Sequence, residues 1–198
     1  MNLNWRHFRS LLFLYVLLSV IYTLMRLAFI GYNVTDFDTP TQYTFIKTIA
    51  NGSRFDLSAI LLSNILFTIL WLLPFGKWWS SKYYQQTLKL VFVVVNSFFI
   101  LLNVIDIVYY PFVKKRMQKD VFLFFTGDKG DEAYTLLPAF LQQYWYMWLF
   151  MVGLFFLIFK FYNTITNKIK HVTLRFSWPY LGIFLMLIGL ELIGIRGG

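Results

Sequence analysis

The chain has 198 residues, of which 59% are apolar, 22% aromatic and only 14% charged. Soluble domains are about 45–50% apolar and about 25% charged, so the composition argues against a soluble enzyme, a disordered segment and a disulfide-rich module. Eighteen Lys and Arg against nine Asp and Glu give a net charge of +9, but the basic residues flank apolar runs, which points to anionic lipid headgroups and away from nucleic acid.

Five apolar runs approach the length of about 20 residues that a helix needs to cross a bilayer core. The first, near Leu11–Ile30, follows Arg6, His7 and Arg9. It lacks a small-x-small cleavage site and reads as an uncleaved signal anchor, with His7 part of its basic flank. Asn33-Val34-Thr35 and Asn51-Gly52-Ser53 match the glycosylation sequon, a pattern common by chance. The second run is near Leu57–Phe75, and Trp78, Trp79, Tyr83 and Tyr84 after it suit the headgroup level.

The third run, near Leu88–Pro111, carries Asn96, Asn103 and Asp106 at spacings of 7 and 3, one helix face. Such a stripe turns toward neighbouring helices, and pairing between helices is favoured over a transport path. The loop 112–143 is basic at Lys114, Lys115, Arg116 and Lys119. It contains the apolar Val121–Phe125, a polar turn-like stretch at 126–132, and Leu136, Leu137, Phe140 and Leu141 at helical spacing. It reads as two interfacial segments. The fourth and fifth runs are near Tyr144–Phe161 and Trp178–Ile195, the last with Gly182 and Gly189 on one face, where they would permit close packing. The predicted fold is all-α: a polytopic membrane protein, a bundle of five transmembrane helices forming a single domain over residues 1–198, with interfacial segments in the third loop.

Charge bias in the short loops and first helix sets orientation. With the N-terminus cytoplasmic, Arg6, Arg9, Lys77, Lys82, Lys89, Lys160, Lys168, Lys170 and Arg175 lie inside and the C-terminus outside. The basic loop after the third run is then an exception. Charges at the ends of the runs, Arg26, Arg54, Asp56, Asp106 and Glu191, would all fall at one depth, the outer-leaflet boundary. Two readings stay open: snorkelling with ordinary pairing, such as Arg26 with Asp106, or a shared polar cleft roofed by the basic loop.

No catalytic motif stands out. There is no H-E-x-x-H, G-x-S-x-G or phosphate-binding loop, no cysteine, and only His7 and His171. Neither a metal site nor a cofactor is expected in this chain.

Gly52-Ser53-Arg54-Phe55-Asp56-Leu57, then Asn103-Val104-Ile105-Asp106-Ile107-Val108-Tyr109-Tyr110 with Lys114-Lys115-Arg116, and finally Ile195-Arg196-Gly197-Gly198 carry a resemblance. In this order, across five spans, the chain resembles the membrane domain of lipoteichoic acid synthase-like, sulfatase-type bacterial membrane proteins of the alkaline phosphatase superfamily. The resemblance implies a multi-pass protein of the bacterial cytoplasmic membrane. It also implies a C-terminal extracytoplasmic domain that transfers phosphoglycerol or phosphoethanolamine or cleaves an ester, using a divalent metal. None of that domain's residues can be mapped here, so the chain reads as a truncated product or fragment, a module without its own chemistry. Arg26, Arg54, Asp56, Asp106, Lys114, Lys115, Arg116, Glu191 and Arg196 would line or order a lipid-headgroup cleft. Two alternatives remain: a self-standing membrane scaffold or partner subunit, and, less favoured, a small transporter.

Overall fold

The computed structural model describes residues 5–34, 42–74, 76–113, 142–167 and 177–196. Among them lie five long helices and no strand: α1 (Trp5–Tyr32), α2 (Gln42–Leu72), α3 (Lys82–Val113), α4 (Trp145–Thr166) and α5 (Trp178–Arg196), with a 3-10 turn at Lys77–Ser80. All five are long and apolar enough to cross a membrane. The fold is the expected all-α bundle. The segments of loop 112–143 expected at the interface fall almost wholly outside the described residues.

Successive helices alternate in direction. α2 packs on α1, α3 and α5, while α1 and α3 also hold α4. The end where α1 begins is called here the near end, and the opposite end the far end. Leu14, Leu18 and Ile21 of α1, Ile60 and Phe67 of α2, Phe92 and Ile100 of α3 and Ile158 of α4 form the shared core. Large apolar side chains such as Leu62, Leu90, Phe156 and Ile193 stay exposed on the outside, as lipid-facing residues do. Trp5, Trp78, Tyr83 and Trp178 are exposed at the near end, Trp145 and Tyr146 at the far end. Two aromatic girdles of this kind mark the headgroup levels of a bilayer.

Within hydrocarbon a helix end must satisfy its last four carbonyls from the protein itself. At the near end of α2 this is complete. The Ile69 carbonyl accepts the Leu73 N–H at 3.1 Å. The Leu70 carbonyl accepts the Tyr84 hydroxyl at 2.6 Å and the Leu72 carbonyl accepts the Tyr180 hydroxyl at 2.7 Å. The Trp71 carbonyl accepts His7 Nε2–H at 2.9 Å and the Trp79 indole N–H at 3.2 Å.

The sequence placed His7 in the basic flank of the first span, but the structure puts it inside the bundle. It is fully buried, stacked on Trp71 with ring centroids 5.1 Å apart and edge-on to Trp79 at 4.8 Å. Arg6 and Arg9 are exposed on the other side of the same helix, which explains why a basic-looking segment begins the first span instead of preceding it.

The expected small-residue face of α5 is also corrected. A Cβ at Gly182 or Gly189 would meet nothing within 4 Å. The glycines in close contact are elsewhere. Gly194 faces Leu61, and Gly52 lies directly under the Arg26 guanidinium.

Candidate functional site

Polar side chains follow one face of α2. Gly52, Asp56, Asn64 and Thr68 fall in a four-residue register, interrupted by the buried Ile60. Four-residue steps keep side chains on one face, so this ladder meets α1, α3 and α5 at successive levels.

At the far end, Arg26 of α1 reaches Asp56 through Nε at 3.1 Å and Nη2 at 2.7 Å, and Nη2 also donates to the Gly52 carbonyl at 2.7 Å. A guanidinium and a carboxylate joined by two parallel hydrogen bonds form the strongest common ion-pair geometry. Gly52 gives the guanidinium room to lie there. Any Cβ would collide with the guanidinium, which is held flat against α2 by its three bonds.

Asp106 and Asn103 of α3 and Tyr22 of α1 join Arg26 and Asp56 around a small cavity of about 20 Å³. That is room for about one water molecule. Asn103 spends its amide N–H on the Phe99 carbonyl of its own helix at 2.9 Å. The Tyr22 hydroxyl is buried and has no hydrogen-bond partner.

In the middle of the bundle Asn64 and Asn96 exchange amide hydrogen bonds at 2.8 and 3.1 Å. This pair fits the helix–helix role expected of Asn96. Nearer the other end, Glu191 of α5 accepts on Oε1 from the Tyr15 hydroxyl and the Thr68 hydroxyl, each at 2.9 Å. Tyr15 and Thr68 also contact each other through their hydroxyls.

The sequence-predicted residues are thus divided. Arg26, Asp56 and Asp106 come together. Arg26 pairs with Asp56, whereas the sequence suggested Asp106. Arg54 lies on the exposed face of α2, and Arg196 is exposed at the end of α5. Lys114, Lys115 and Arg116 lie outside the described residues. Glu191 corrects the expectation of one common depth. Its partner Thr68 is 12 residues beyond Asp56 on α2, a rise of about 18 Å.

Sequence reasoning missed Tyr15, Thr68, Tyr22, Asn64 and Gly52. For the α2 residues the signal was present as the four-residue register. Asn33, the first residue of one sequon match, has a structural role instead. It is almost fully buried, and its side-chain amide donates to the Phe29 carbonyl at 2.9 Å and to the Ile107 carbonyl at 3.3 Å.

Comparison with protein-family models, with curated proteins and with solved structures finds no match. Fold and composition define a class, an all-helical multi-pass membrane protein. Any closer assignment rests on the residues themselves.

Proposed function

We propose that this chain is a membrane module that presents an anionic lipid headgroup at the far end of its bundle. In this reading the far end faces outward across a bacterial cytoplasmic membrane. The module serves an extracytoplasmic phospho-group transferase or sulfatase-type domain of the lipoteichoic acid synthase-like kind. The observation that carries the reading is the polar cavity shared by α1, α2 and α3. Arg26 is fixed by Asp56, with Asp106 and Asn103 beside it, six residues before the far end of α1 at Tyr32, and the reading sets this level near the headgroups. Such charges are costly in hydrocarbon and cheap at the boundary, where they meet water and phosphate. In sequence the cavity is followed closely by Lys114, Lys115 and Arg116. Basic side chains at a charged membrane surface contribute about 1 kcal/mol each.

The test uses the full chain in vesicles containing a photoactivatable phosphatidylglycerol. Crosslinks should concentrate at the end of α1, the start of α2 and the end of α3. Replacing Lys114, Lys115 and Arg116 together with Gln should reduce them at low salt, with a smaller difference at high salt, where charges are screened. Even labelling along the helices, or labelling unchanged by the triple replacement at low salt, overturns the reading.

A further inference from the structure

The cluster around Glu191 has no place in the headgroup reading. Glu191 is 6% exposed between α1, α2 and α5. The two carboxyl oxygens are in unlike settings. Oε1 accepts from the Tyr15 and Thr68 hydroxyls, while Oε2 is buried with no hydrogen-bond partner. Among the described residues no Arg, Lys or His lies within ion-pair distance of it, in contrast to Asp56. The groups facing it are Tyr15 from α1 and the uncharged Thr68 from α2. On α5 itself the flanking Leu190, Leu192 and Ile193 are apolar and exposed on the outer surface. The nearest other titratable groups along α1 are the exposed Arg9, six residues from Tyr15, and then Tyr22 and His7, seven and eight residues away, so all lie about 9–12 Å along the helix axis.

An ionised carboxylate in this position would leave half its charge on an oxygen with neither donor nor counter-ion. That is among the most costly arrangements a protein interior or a membrane can hold. A proton on Oε2 removes the charge. It leaves Oε1 as a carbonyl oxygen within reach of both hydroxyls, with Tyr15 donating to it and the single Thr68 hydrogen shared between Oε1 and the Asn64 carbonyl at 3.2 Å.

We propose that Tyr15, Thr68 and Glu191 form an intramembrane proton-binding site, with the proton on Glu191 Oε2, and that this proton keeps α5 docked on α2. The consequence for α5 follows from where the carboxyl sits. At its far end α5 is also tied to α2, since the Ser58 hydroxyl lies 2.6 Å from the Gly194 carbonyl and 3.0 Å from that of Ile195. At its near end Tyr180 bonds the Leu72 carbonyl. Between these ties Glu191 provides the polar contact. Loss of its proton at high pH puts an uncompensated charge into the seam and loosens the helix there.

The chain contains only two glutamates, Glu132 and Glu191, so isotope labelling of glutamate isolates the signal. The measurement is the infrared spectrum of the full chain, labelled at the Glu side-chain carboxyl carbon, in phosphatidylcholine vesicles. At pH 7 a neutral-acid carbonyl stretch should be present and should vanish in Glu191→Gln. On raising the pH it should give way to a carboxylate band. Backbone amide exchange in α5 should rise over the same range in the wild type and not in Glu191→Gln. Because the amide keeps a carbonyl for both hydroxyls, Glu191→Gln should melt within about 3 °C of the wild type. A carboxylate band for Glu191 at pH 7 overturns the proposal, and a band that shifts on adding Na⁺ assigns the site to a metal cation instead. Amide exchange in α5 that ignores pH overturns the docking role. None of these outcomes depends on headgroup binding at the far end.

Discussion

Two carboxyl groups on neighbouring helices of this bundle meet opposite surroundings. Asp56 lies at the far end, held by the forked guanidinium of Arg26 and still about one-fifth exposed. Glu191, about 18 Å further along α2 by the position of its partner, meets only hydroxyls. A charge is kept where water and a partner are both at hand. Where neither is, hydroxyls take over and the carboxyl needs another source of neutrality. Residue type alone does not distinguish the two, since both acids stand near the ends of apolar runs. The decisive quantity is what the opposing helix offers at the level the side chain reaches.

The largest test of this contrast removes the partner at one site. Asp56→Ala leaves Arg26, among the described residues, with its hydrogen bond to the Gly52 carbonyl and without its paired carboxylate, and loss of one member of a partly buried pair should cost about 2–3 kcal/mol in unfolding stability. Arg26→Ala in the same background should cost much less than it does alone, which a double-mutant cycle reads as coupling. A near-additive cycle would mean that the pair contributes nothing as a pair.

A smaller effect is expected at the other site. Tyr15→Phe removes one of two hydroxyls on Glu191 Oε1 and should cost about 1 kcal/mol. Thr68 remains to serve the same oxygen. A loss as large as that of Asp56→Ala would show that the hydroxyl cluster is holding a full charge, and the contrast between the sites would collapse.

The smallest effects distinguish the glycines. Gly189→Ala, two residues from Glu191 with open space around it, should be neutral or stabilising by a few tenths of a kcal/mol, from helix propensity. Gly52→Ala gains the same propensity but must displace the Arg26 guanidinium. Its net effect should be a loss of about 1 kcal/mol, the intrinsic gain offsetting part of one charged hydrogen bond. Thermal unfolding of the two variants in one detergent checks the difference in sign.

Much of this was legible in the sequence. The five spans, their alternation and the gathering of Arg26, Asp56 and Asp106 follow from hydrophobic length and from counting along each run. Glu191 was placed at the wrong level because position along a run gives the height of the backbone, not of the functional group. Helical side chains lean toward the N-terminus of their helix, so on α5 the long Glu191 side chain reaches back toward the near end, to Thr68. His7 was misread because its neighbours Arg6 and Arg9 carry the local charge, and helical periodicity turns His7 away from them into the bundle. Asn33 matched a surface motif, yet the carbonyl that accepts from it lies 74 residues away, at Ile107. Contacts over that range leave no local pattern to read.

The closed set of carbonyls at the near end of α2 bears on how the chain is assembled over time. The Trp71 carbonyl takes its donors from α1, already synthesised, and from the turn at 77–80, while the Leu70 carbonyl waits for Tyr84 and the Leu72 carbonyl for Tyr180. Synthesis runs from the N-terminus, so the end of α2 enters the bilayer with part of its hydrogen bonding unmet, and the last donor is made 108 residues later. In a scheme where helices insert first and pack afterwards, α2 is provisional in its final turn until α5 arrives. The fifth helix closes a structure that the first four can only approximate.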